Sequence, residues 1–134
     1  MRIEQYRQAL KYYLLQTPDA FFAASFAADD LGTAAALLSR RDELLQAGWH
    51  FELATAKAER LRVLASLESY WQRSDLSLRL YPGEADRLTA ILQVAHRIPA
   101  FLSELQLCDE QAFFPPVWQR LFAVLQKAGI KVQA

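Results

Sequence analysis

Apolar residues recur at helical spacing almost from the start of the chain. Turning each residue by about 100° gathers Ile3, Tyr6, Ala9, Leu10, Tyr13 and Leu14 on one side, with Glu4, Gln8 and Lys11 largely off it. This predicts a first amphipathic helix. Thr17 followed by Pro18 has the order of an N-cap and a first-turn proline, so a second helix is expected through Phe21, Phe22 and Phe26. Asp29, Asp30 and Gly32 interrupt it. Thr33 can then cap a third helix, whose face is Leu37, Leu38, Leu44 and Leu45 and whose stop is Gly48.

No Gly or Pro falls between Phe51 and Arg73, and Leu53, Ala54, Ala58, Leu61, Leu64, Ala65, Leu67 and Trp71 cover more than half of a helical wheel. So broad an apolar face predicts one long central helix packed by several neighbours. The rhythm then changes to a period of two at Leu76, Leu78 and Leu80, read as an unpaired extended connection before Pro82 and Gly83 turn the chain. A fifth helix is expected from about Glu84 to Arg97, broken at Pro99, with a short helical segment from Ala100 to Leu105. After Pro115 and Pro116, the residues Val117, Trp118, Leu121, Val124, Leu125 and Ala128 make the cleanest amphipathic pattern in the chain, and Gly129 before Ile130 reads as a Schellman ending. The expected fold is all-α: a single-domain bundle over residues 1–134, with about five to seven helices and no sheet.

Composition narrows the function classes more than it selects one. Hydrophobic residues make up 53% of the 134, enough to support a packed core. Fifteen basic and fifteen acidic side chains cancel and are interspersed, which argues against nucleic acid as a partner. No stretch reads as a membrane span or a secretory leader. Cys108 is the single cysteine, so no intramolecular disulfide can form, and a cytoplasmic, reducing setting is the simpler reading.

Catalytic and cofactor motifs are missing. The four glycines are placed as breaks or caps and do not cluster around a phosphate, while His50 and His96 lack the Glu-x-x-His spacing of a di-metal helical bundle. The expectation is no metal, no cofactor and no catalytic residue.

Two features stand out against this plain background. Arg41 falls in the middle of the third apolar face, and Lys57 and Glu68 interrupt the face of the long helix. A buried unpaired charge is severely unfavourable, so these side chains either reach water, form an internal pair such as Arg41 with Glu68, or line a polar groove. The second feature is the aromatic elbow of Phe113, Phe114 and Trp118 around the double proline, which either plugs the core or stands out as a rigid contact patch. The leading expectation is a non-enzymatic protein–protein interaction module of the adaptor, assembly-factor, immunity-protein or chaperone type, binding a protein partner or a second copy of itself. The alternative is a helical-bundle enzyme or small-ligand binder with a pocket lined by Arg41, Lys57 and Glu68.

Overall fold

The computed structural model describes residues 1–73 and 79–134. Among them are six α-helices: α1 (Arg2–Gln16), α2 (Ala23–Ala28), α3 (Asp30–Gln46), α4 (Glu59–Trp71), α5 (Glu84–Val94) and α6 (Pro116–Lys127). Two three-residue strands, β1 (Glu104–Gln106) and β2 (Lys131–Gln133), complete the regular structure apart from short 3-10 turns. The fold is all-α with a long helix, the longest being α3 at 17 residues. No described helix is long and apolar enough to cross a membrane.

The chain clusters into two compact units, the first comprising Met1–Glu43 with Trp49–Tyr81 and the second Leu44–Gly48 with Pro82–Ala134. In the first, α1 packs on α4, burying Tyr6, Ala9, Leu10 and Tyr13 from α1 against Leu64, Ala65, Leu67 and Tyr70 from α4. Rings knit this core together: Tyr13 meets Tyr70 edge-on at 5.8 Å and Phe22 at 6.2 Å. In the second, α5 packs on α6 around Leu88, Ala95, Val117, Leu121, Leu125 and Ile130.

Several boundaries differ from those the periodicity predicts, each for a local reason. Thr17 closes α1, its N–H donating to the Tyr13 carbonyl, and α2 starts only at Ala23. Helix α3 begins before Gly32 because the Asp29 carboxylate accepts the Gly32 N–H at 2.8 Å. A Cβ on Gly32 would collide with that carboxylate, so the glycine makes room for the cap instead of breaking the helix. The expected long helix over Phe51–Arg73 is divided into a 3-10 turn, Leu53–Thr55, and α4. There the Thr55 hydroxyl donates to the Glu52 carbonyl and accepts the Trp49 indole N–H, drawing local bonds into a turn that a helix would need for itself.

The expectation of no sheet is also corrected. β1 pairs in parallel with β2 in the register Glu104 with Lys131, Leu105 with Val132 and Gln106 with Gln133. The expected helical segment Ala100–Leu105 is displaced by this strand, and the backbone before it tightens into a 3-10 turn, Ala95–Ala100, holding Pro99. Proline has no N–H and disfavours α geometry in the residue before it. The expected extended run Leu76–Tyr81 lies outside the described residues at Leu76, Ser77 and Leu78. Arg79–Tyr81 take no regular structure, and the Tyr81 N–H and C=O bond to the side chains of Gln5 and Arg2.

The end of α6 follows the sequence reading. Gly129 has φ +99°, the Ile130 N–H donates to the Leu125 carbonyl at 3.0 Å, the Gly129 N–H donates to that of Gln126, and Ile130 is buried beside Leu125. A Cβ on Gly129 would meet nothing within 4 Å, so Gly129→Ala isolates backbone strain. We expect a loss of about 1 to 2 kcal/mol in denaturant titrations; a neutral result would show that the chain end simply frays.

Candidate functional site

The Arg41 side chain leaves α3 and meets Glu68 of α4. Its Nε lies 2.9 Å from Glu68 Oε2 and its Nη2 2.7 Å from Oε1, a two-pronged contact with Arg41 3% and Glu68 6% exposed. The planar guanidinium fork matches a carboxylate in this way, whereas an ammonium cannot. Trp71 Nε1 and Gln72 Nε2 add bonds to Oε2 and Oε1 at 3.2 and 3.1 Å. With four donors the carboxylate has its acceptor sites filled, leaving it no free lone pair for a substrate or a metal ion.

The network extends toward the surface through Asp42, which takes Arg41 Nη1 at 3.0 Å on Oδ1 and a second bidentate contact from Arg2 at 2.7 and 3.1 Å. Two rings flank the guanidinium: its carbon is 5.5 Å from the centre of Trp71 and 5.7 Å from that of Phe51. Phe51 has φ +63°, the left-handed region that bulky residues avoid. Strain of this kind persists only where surrounding contacts hold it, and here the ring is held between Arg41 and Trp49, the latter 4.9 Å away. Tyr6, fully buried, has its phenol pKa pushed up by burial, with the Glu68 charge adding to the effect.

Lys57 does not join this group. It is exposed and precedes α4, so it never shares a helical face with Glu68. Of the three charged residues the sequence singles out, the structure brings two together and leaves the third in solvent. Asp42, Trp71, Gln72 and Phe51 complete the network without having been picked out from the sequence; the one available signal was Trp71 with Gln72 at spacings three and four from Glu68.

A second charge cluster lies on the same unit. Arg7 Nη1 contacts Asp30 at 2.7 Å and its Nη2 and Nε contact Glu4 at 2.6 and 2.8 Å. Hydrogen bonds from Arg7 and then Gln8 hold the Glu4 carboxyl down to about 2. Because the folded value is depressed, any stabilisation from it is present above the ordinary carboxylate range and is lost as pH falls through about 2. Nearby, Met1, Ile3, Leu31 and Ala35, with Glu4 and Asp29, line an open groove of about 520 Å³. Among the described residues no three of His, Cys, Asp and Glu gather as a metal site would require.

The aromatic elbow divides between two environments. Phe114 is half-buried, its ring 5.1 Å from Phe122 in an edge-on contact and 6.1 Å from Trp118. Trp118 lies 5.8 Å from Phe122 and donates its indole N–H to Glu84 at 2.9 Å. Gln119 Nε2 donates to the Phe114 and Ala112 carbonyls at 2.7 and 3.3 Å, tying the elbow back to α6. Phe113 is left 73% exposed beside this anchored frame. Comparison with protein-family models, with curated proteins and with solved structures gives no match.

Proposed function

We propose that the chain is a non-enzymatic protein–protein interaction module, with Phe113 as a contact residue. The observation that carries this reading is a large apolar ring kept in solvent on a backbone that cannot easily retract it. Phe114 and Pro115 hold extended geometry, Pro116 opens α6, and Gln119 binds two elbow carbonyls. An aromatic presented on a stiff frame loses little conformational entropy on binding, which is why such rings dominate binding hot spots. The competing pocket reading loses its chemistry, because Arg41 and Glu68 are bonded to each other and Lys57 stands apart.

A protein partner suits the balance of fifteen positive and fifteen negative side chains better than nucleic acid does. Cys108, exposed and without a disulfide, fits a cytoplasmic setting. The test is quantitative affinity capture from the native host with the wild-type chain and with Phe113→Ala. Partner recovery should fall about fivefold or more, equivalent to about 1 kcal/mol, with the thermal midpoint unchanged. Phe114→Ala should instead destabilise the fold. Equal recovery with Phe113→Ala would overturn the assignment of this ring.

A further inference from the structure

The sheet of two strands leaves one edge of β1 open. Lys131 N–H donates to the Ser103 carbonyl and Leu107 N–H to that of Gln133, which with the parallel register puts the odd-numbered residues Ser103, Leu105 and Leu107 on the β2 side. Successive backbone groups point to opposite edges of a strand, so the N–H and C=O of Glu104 and Gln106 face away from β2. Among the described residues neither pair takes a backbone partner, and both residues are exposed. Two donors and two acceptors, spaced two residues apart, form a template for another strand.

We propose that this edge pairs with β1 of a second copy, antiparallel about a two-fold axis at Leu105. The inference rests on the interaction reading above and gives it a definite partner. In this register Glu104 of one copy and Gln106 of the other exchange both backbone bonds, and the symmetric pair repeats the exchange, satisfying all four groups on each side. Leu105 meets Leu105 of the second copy at the close, non-hydrogen-bonded position, on the half-buried face that already packs on Leu121 and its neighbours.

The edge is self-complementary, which favours a second copy: under the two-fold the N–H and C=O groups of residues 104 and 106 each meet the opposite group of the other chain. Glu104 falls opposite Gln106 and never opposite its own counterpart. Its carboxylate is also met within its own chain, by Gln133 Nε2 at 2.6 Å and by Lys131 Nζ at 4.0 Å. Two such edges therefore approach without like-charge repulsion. The product is a four-stranded sheet in the order β2, β1, then β1 and β2 of the second copy.

Gln106→Pro is a selective probe. It deletes the outward N–H while leaving the intrachain ladder intact, because Leu105 and Leu107, not Gln106, bond to β2. In sedimentation velocity over a concentration series, the wild type should show a monomer–dimer equilibrium, and Gln106→Pro should weaken it about tenfold with its thermal midpoint retained. A second variant guards against misfolding of the first. Glu104→Cys with Gln106→Cys in a Cys108→Ser background should oxidise to a covalent dimer, since cross-strand Cα atoms about 5.5 Å apart lie within disulfide reach. Peptide mapping should join position 104 to position 106 between chains.

A wild type that stays monomeric throughout, or crosslinks that join like positions, would overturn the proposal. Either result leaves the Phe113 capture experiment untouched. Loss of dimer in Phe113→Ala but not in Gln106→Pro would reject the edge while upholding the interaction reading.

Discussion

Glu68→Ala should lower the stability of the chain by about 3 to 5 kcal/mol, read as a shift in the urea midpoint at constant slope. The loss exceeds that of an ordinary surface ion pair, usually worth about 1 kcal/mol or less. With Glu68 removed, a guanidinium 3% exposed loses both prongs of its main contact and keeps the Asp42 carboxylate at 3.0 Å. Trp71 and Gln72 lose their acceptor at the same time.

The companion experiment replaces both partners, Arg41→Met with Glu68→Leu. Apolar side chains of similar volume avoid the desolvation cost that the ion pair had to overcome, so the double variant should recover most of the loss. If it is as unstable as Glu68→Ala, the network acts through Asp42, Phe51 and Trp71 more than through the pair itself.

Phe122→Ala should cost about 3 to 5 kcal/mol, the range for removing a buried phenyl ring. Phe122 is 1% exposed, with Phe114 at 5.1 Å in a T-shaped contact and Trp118 at 5.8 Å, tilted to it. Its removal empties the site on which the elbow rests, so near-ultraviolet circular dichroism from Trp118 should weaken along with stability. A cost near 1 kcal/mol would mean that Phe114 and Trp118 collapse into the space, and that the elbow is less rigid than its hydrogen bonds to Gln119 imply.

Much of the helical architecture was legible because its causes are local. The faces of α1 and α6 follow a period of 3.6; of the six residues that the wheel gathers on α1, Tyr6, Ala9, Leu10 and Tyr13 are buried, Leu14 is half-buried and Ile3 is exposed. The Schellman end at Gly129 needs only a glycine in the left-handed region and an apolar residue after it. The charge buried on the third helix was legible as an anomaly, and its pairing with Glu68 as one of three outcomes.

The remainder depends on residues far apart in the chain. Arg41 and Glu68 are separated by 27 positions, and no periodicity within either segment states that they meet. Three-residue strands carry no repeat, so β1 and β2 exist only because the chain between them, including α6, returns Lys131 to Ser103. The division of the elbow into an anchored Phe114 and an exposed Phe113 was likewise settled by Phe122, whose ring stands beside one and not the other. Amphipathic spacing and capping chemistry act over one or two helical turns, so the sequence alone places the main helices and most of the sides they bury, while the division of Phe51–Arg73 and the strand at Glu104–Gln106 escape it. Charge pairing, strand pairing and the choice of exposed ring are set by contacts whose free energy exists only once the chain has closed on itself, and these the tertiary structure decided.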